Sequence, residues 1–377
     1  MKIRPSQGWS SLHAIRYAGG MEQIQLDNGL MPEARWNTHL SCLAALSKAA
    51  SRGHDIVDVA GLTGLAFRTC ATSRVTPVGL YLSWAWEPSF TRWLSFLGLD
   101  ADVVTNHVEL SGYGRWLDRQ YDRIDETLSL GLPVMHWDNT GFGLILGKSG
   151  EDYLLSGVPG FTIHPNWVEQ DLYVEFTDRA IPERWEDEPH PVAVTREALT
   201  CIIEPEACFI HPRGTCFFDA EDSAYQSIYR AHLELNSIIE FPRHRDDMQN
   251  IYEPQFGTQA YKRWRSDLKD GRIHLFGLVQ TLQALGESRR LAVSYLKRLP
   301  DRVDAAWHGR LEQVTHFYER IVTHLRKALT IYSVPIDHDE QMTRAAWETC
   351  RDALYQVEQT EKTAGRLLSS IVHEVFE

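Results

Sequence analysis

Two residues in this chain are of the right type and spacing for nucleophilic chemistry: a cysteine near the start of a small-residue helix and a histidine on a strand far downstream. Cys42 falls in the run Asn37-Thr38-His39-Leu40-Ser41-Cys42-Leu43-Ala44-Ala45-Leu46, and His136 in the apolar run Leu132-Pro133-Val134-Met135-His136-Trp137. A thiol attacks as its thiolate, and the positive end of a helix plus a nearby imidazolium lower its pKa from about 8.5 by several units. The helix start also supplies unpaired N–H groups that hold a tetrahedral oxyanion. The base comes best from another element, because a histidine on the same helix faces sulfur and substrate together less readily, and a carboxylate or amide orients it. In this reading Cys42 attacks the acyl carbon and His136 takes and returns the proton, with His39 as the alternative base. Asp138, with Asn139 beside it, orients the imidazole, and Asn37 helps to hold the oxyanion. The same residues also read as packing: Cys42 lies among Leu43, Ala45, Leu46 and Ala49, where a buried thiol serves as a small hydrophobe.

The elements that must position these residues follow from local pattern. A helix over 38–52 has Asn37 or Thr38 as N-cap and Gly53 as its stop. A second runs from Pro88 to Gly98, then a strand over 102–105, then a helix from Arg115 to Leu130 ended by Gly131. That helix feeds the strand of Pro133–Trp137. Leu144-Ile145-Leu146 and Tyr153-Leu154-Leu155 follow as strands joined by a turn-rich linker, with further strands expected at Leu172–Phe176 and Leu199–Ile203. The acidic stretch from Pro182 to Pro191 reads as an exposed loop. Helices followed by an antiparallel meander make an α+β pattern over residues 1–220. From residue 221 to 377 the texture becomes helical. Helices are expected over Ser223–Phe241 and Gly271–Leu299, and apolar residues recur at Leu311, Val314, Tyr318, Ile321, Leu325 and Ala328. The last helix repeats this spacing at Trp347, Cys350, Leu354, Val357, Ala364, Leu368, Ile371 and Val375, interrupted where Glu361 takes a seam position. Two such helices joined near Pro335 pack antiparallel, giving an all-α bundle domain.

Composition narrows the function classes. With 377 residues, 43% hydrophobic and 24% charged, the chain is long enough for two folded domains. A formal charge of −13 argues against nucleic acid or an anionic membrane as partner. No apolar run is long enough to span a bilayer, and the first residues lack the pattern of a signal peptide, so a cytoplasmic location is expected. The six cysteines are too few for a disulfide scaffold, and Cys201, Cys208 and Cys216 are spaced unlike zinc ligands.

The run Cys42-Leu43-Ala44-Ala45-Leu46 through Gly53-His54-Asp55, then Gly61-Leu62-Thr63-Gly64-Leu65-Ala66-Phe67-Arg68, resembles the opening of the butirosin-biosynthesis-H-type domain and of related bacterial papain-like proteins akin to bacteriocin-leader peptidases. Gly131-Leu132-Pro133-Val134 and Gly141-Phe142-Gly143-Leu144-Ile145-Leu146-Gly147 are similar to the second hallmark of that group, and Ala260-Tyr261 with Trp264 to the start of its helical region. The resemblance implies a papain-like α+β domain with an attached helical domain. In the butirosin-type members it implies acyl transfer from a carrier-protein thioester to an amine. Three positions depart from the pattern. The histidine that opens the second strand in leader peptidases is Gly141 here, the orienting acid falls near Ser156, and the His-Cys pair of butirosin-type acyltransferases aligns with His39-Leu40.

His164 and His211, each before a proline, read as loop residues. His244-Arg245-Asp246-Asp247 and Asp337-His338-Asp339-Glu340 lack the spacing of a metal loop, and no cofactor is implied. Tryptophans 84, 86, 93, 116 and 137 suit either a ligand pocket or core packing. Two functions from different classes remain. One is a cysteine-nucleophile acyltransferase or hydrolase acting on a thioester or amide through Cys42; the other is a non-catalytic protein on the same fold that binds a small molecule or peptide. A homo-oligomer assembled through the heptad-seamed helices is a third, lesser expectation.

Overall fold

The computed structural model describes residues 16–17, 37–71, 85–106, 112–137, 141–156, 191–203, 207–238, 255–271, 275–329 and 344–376. The architecture is α+β with antiparallel sheets. The described residues of Met1–Gly53, Gly98–Asn166 and Pro182–Cys216 form one compact unit, and those of His54–Leu97 and Phe217–Glu377 form a second. The described residues of 54–97 thus group with the helices of the C-terminal half rather than with the mixed elements on either side of them.

In the first unit β1 (Arg16–Tyr17) precedes α1 (Thr38–Ala49). In the second unit α2 (Ile56–Leu62), β2 (Cys70–Ala71) and α3 (Trp86–Phe96) follow. The first unit resumes with β3 (Leu99–Asn106), α4 (Tyr113–Ser129), β4 (Val134–Trp137), β5 (Phe142–Ser149) and β6 (Asp152–Ser156). It closes with β7 (Pro191–Val194), α5 (Arg196–Ile203) and β8 (Ala207–Thr215). Its seven described strands form one sheet in the order β1-β7-β6-β5-β4-β8-β3, and every pairing is antiparallel. The expected meander is its centre: Val134 pairs with Ile145 and Leu144 with Ser156. One face of the sheet is covered by α4, whose Leu117, Tyr121 and Ile124 bury against Val134, Ile145, Leu155 and Phe209.

The strand expected at Leu199–Ile203 is instead the end of α5. A short apolar run carries no readable period of its own. Here the Thr195 carbonyl accepts from Leu199 N at 2.9 Å, and Glu197 lies in the first turn, where its charge suits the helix dipole. The strand expected over Leu172–Phe176 and nearly all of the 182–191 stretch lie outside the described residues.

The second unit continues with α6 (Ala220–Leu235), β9 (Gln255–Phe256), α7 (Thr258–Lys269), α8 (Leu275–Arg298), α9 (His308–Ala328) and α10 (Arg344–Phe376). Asp219 caps α6 by accepting from Glu221 N and Asp222 N, both at 3.0 Å. This unit is not purely helical, because β2 and β9 form a two-residue antiparallel ladder. So short a ladder leaves no alternation in sequence. The seam of α9 is buried throughout, and in α10 Cys350, Leu354, Val357, Ala364, Leu368 and Ile371 are all buried, while the end residues Trp347 and Val375 are half-buried. Arg310 at the start of α9 reaches Glu374 at the end of α10 at 2.6 Å, so the two helices run antiparallel.

The interruption of the α10 seam has a specific cause. Glu361 and Arg289 of α8 are both fully buried, and Arg289 Nε donates to Glu361 Oε1 at 2.6 Å. Arg289 Nη1 donates to the carbonyls of Ala66 and Arg68 at 2.8 and 3.0 Å, while Nη2 donates to Thr69 Oγ1 and, at 3.4 Å, to Tyr261 Oη. The guanidinium thereby spends its five N–H groups on one buried cluster. Burial opposes its charge, but Glu361 outweighs that and holds Arg289 above its ordinary pKa. Removing one partner leaves the other charge buried and alone, so Glu361→Ala should cost about 3–5 kcal/mol in urea unfolding, and Arg289→Met with Glu361→Leu should recover most of it. Gly61 of α2 provides a second, steric check. A Cβ there would fall on the ring of Tyr295, which is fully buried and whose hydroxyl is held by Ser227 at 2.9 Å. Gly61→Ala should therefore cost about 1–3 kcal/mol or more by the same measurement.

Candidate functional site

Helix α1 begins at Thr38, with Asn37 in the cap position, so Cys42 is the fifth helical residue. The helix start spans residues 37–40, where Leu40 N donates to Asn37 O at 3.0 Å, and the N–H of Cys42 lies inside the helical ladder. Dipole stabilisation fades beyond the first turn. The expected oxyanion donors are thus almost a turn away from the sulfur's own residue. Asn37 makes no side-chain bond to the helix start and is 1% exposed.

Thr38 and Cys42, one turn apart on α1, both engage the first residue of β5. Phe142 N donates to Thr38 Oγ1 at 2.8 Å, and Cys42 Sγ donates to Phe142 O at 3.3 Å. In an antiparallel strand the N–H and C=O of one residue point to the same side. Phe142 is matched with Trp137 on β4, while the pairing of β5 with β6 is recorded from Leu144 onward, against Ser156. One stripe of α1 thus stands in for a neighbouring strand at Phe142. Cys42 is 1% exposed, and His39 and Leu40 are 2% and 0% exposed.

His136 lies on β4 directly opposite Gly143 and, on its other side, opposite Phe209 of β8. Alternation puts its side chain on the face with Val134 and Phe209, under α4. Gly143 offers no side chain there, and it follows Phe142, whose carbonyl takes the Cys42 thiol. The register therefore sets Cys42 and His136 about one peptide of β5. His136 is 2% exposed. Asp138 and Asn139, the expected orienting groups, lie outside the described residues, as do His164, Trp84 and the stretches 244–247 and 337–340.

The three positions that depart from the papain-like pattern have structural occupations. A Cβ on Gly141 would stand 2.9 Å from Thr38 Oγ1, so a side chain there would disturb the bond to Phe142 N. Ser156 Oγ accepts from Leu144 N at 2.8 Å and completes the β5–β6 ladder. Leu40 is wholly buried. Of the tryptophans, Trp116 and Trp137 belong to the sheet unit and Trp86 and Trp93 to the helical unit.

His211 was expected in a loop, but it lies in strand β8, opposite Asp102 of β3, and is 2% exposed. Pro212 is tolerated after it because the recorded pairing with β4 stops at Ile210 and the β3 register shifts beside Ala101. No local sequence signal separates such a strand from a loop.

Comparison with known proteins finds no matching family model and no matching curated protein. Among the described residues no helix is long and apolar enough to cross a membrane.

Burial, and then the charge of Arg123, push the His211 pKa down from 6.5 to about 3. The unfolded chain binds this proton near pH 6.5 and the folded chain only near 3, so the neutral ring favours folding. Its contribution should be complete above pH 6.5 and fall away as the pH drops toward 3. A urea series from pH 7.5 to 4 should show the midpoint falling below pH 6.5, with a shallower fall in His211→Phe; equal slopes would exclude His211 as the source.

Proposed function

We propose that this chain is a papain-lineage α+β protein whose former catalytic corner has become a packing corner, and that it acts by holding a small molecule or peptide. The observation that carries this reading is the Cys42 thiol, 1% exposed and donating to the Phe142 carbonyl. A donated S–H is a retained proton, and that bond opposes the thiolate on which attack depends. The buried Leu40 at the helix start, the space denied beside Gly141 and the laddered hydroxyl of Ser156 support the same reading.

A second reading keeps the chemistry, and one observation favours it: the register that brings His136 beside the peptide bonded to Cys42. Here an opening of the corner admits a thioester, such as a carrier-protein thioester, or an amide. His136 takes the Cys42 proton, the sulfur bonds to the acyl carbon, and the C–S or C–N bond of the donor breaks. His136 returns the proton to the departing thiol or amine, and an amine or water then lifts the acyl group from Cys42. Asp138 would orient the imidazole, with His39 and Asn37 as accessory groups.

Iodoacetamide labelling of native protein with mass-spectrometric mapping separates the two. The packing reading expects Cys42 to react about tenfold or more slowly than in unfolded chain, with half-buried Cys216 reacting first. It also expects a rise in Tm with some of the acyl-thioesters, peptides or aromatic metabolites in a thermal-shift screen. Rapid, stoichiometric labelling of Cys42 ahead of the other thiols, abolished in Cys42→Ala, would sink the packing reading and favour acyl transfer.

A further inference from the structure

Helix α4 presents Trp116, Gln120 and Arg123 on one stripe, and both ends of that stripe are anchored to the sheet. Trp116 lies by Phe209, with ring centroids 6.1 Å apart, and Arg123 Nη2 donates to Asp102 Oδ2 at 2.7 Å. On the sheet Phe209 and His211 are alternate residues of β8 with rings 5.9 Å apart, and Asp102 is the cross-strand partner of His211. Gln120, midway along the stripe, is thereby set over His211. The two side chains are 3% and 2% exposed. Among the described residues, neither ring nitrogen of His211 has a protein partner, and neither has Gln120 Oε1.

Buried polar atoms in folded proteins are satisfied with few exceptions, and here three orphaned atoms belong to two facing side chains. A neutral imidazole offers one donor and one acceptor, and the amide oxygen offers an acceptor. A partner held between one ring nitrogen and the amide oxygen must donate to that oxygen, and it accepts from the ring where that nitrogen carries the proton. It must also be uncharged. Among the described residues, Arg123 is paired with Asp102, and Arg213 with Asp100 and Asp102 at 2.7 and 3.0 Å, so none of these four charges is left over to hold an ion.

We propose that the interface of α4 with β3 and β8 is a binding site for one uncharged, water-sized molecule, water itself being the simplest, held between His211 and Gln120. The site is independent of Cys42 and of either reading of that corner. Its occupant ties helix to sheet through hydrogen bonds that neither side chain makes directly.

A crystal structure of the unaltered protein at about 1.5 Å tests this directly. The expected result is an ordered peak within hydrogen-bond distance of a His211 ring nitrogen and of Gln120 Oε1. A direct His211–Gln120 bond, another protein partner for the ring, or a dry site overturns the proposal. In solution, Gln120→Leu and His211→Leu should each lower the folding constant about fivefold to tenfold, and the double variant should lose less than the product of the two. Stabilisation by His211→Leu, or two effects that simply multiply, overturns it as well. Should a variant fail to fold, the crystallographic result on the unaltered protein decides alone.

Discussion

The helical unit is organised around a single requirement: a carboxylate placed in the middle of an apolar seam must be neutralised. Glu361 sits where the α10 pattern calls for an aliphatic residue, and Arg289 meets it from α8. Because the guanidinium also grips the carbonyls of Ala66 and Arg68 and the hydroxyl of Thr69, the chain after α2 is bound into the same knot. Tyr261 of α7 and Tyr318 of α9 face this cluster. Burial, and then the charge of Glu361, hold both phenols well above their usual pKa, so they remain protonated. An arrangement of this kind adds little net stability over a well-packed apolar core. It links α8, α10 and the segment after α2, and losing either charge would leave the other buried alone.

The sheet unit is held by a different economy. At Phe142 the strand gains a helix stripe as neighbour, with a threonine hydroxyl accepting and a cysteine thiol donating where strand backbone would otherwise do both. This substitution explains why the residues at this corner are small or absent. Gly141 leaves room for Thr38, and Ser156 supplies a hydroxyl to Leu144 N.

Much of the architecture was legible from local pattern. The helices ending at Gly98 and Gly131 were readable because each glycine adopts positive φ (68° and 75°), a backbone state that other residues resist, whereas α1 ends at Ala49, short of the expected stop at Gly53, and Ser51 takes the positive φ (58°). The antiparallel meander was readable from β-forming runs separated by turn residues, and the seam of α9 from its spacing of three and four. Helix α5 and the β2–β9 ladder were not, because a short apolar run and a two-residue pairing carry no period. The candidate site was legible only by half. Cys42 and His136 could be singled out by type, but the group that receives the thiol is a backbone carbonyl, which every residue carries and no sequence advertises.

What the sequence determined by itself was therefore periodic or conformational: which stretches coil or extend, where they stop, and that one charged residue breaks an apolar seam. Only the tertiary structure decided which distant groups satisfy one another. Glu361 needed Arg289, Cys42 found Phe142, and His211 came to rest inside a strand opposite Asp102. The physical reason is that dihedral preference and hydrophobic period act over a few neighbouring residues, whereas a buried polar atom must find its partner wherever folding brings one within hydrogen-bond reach.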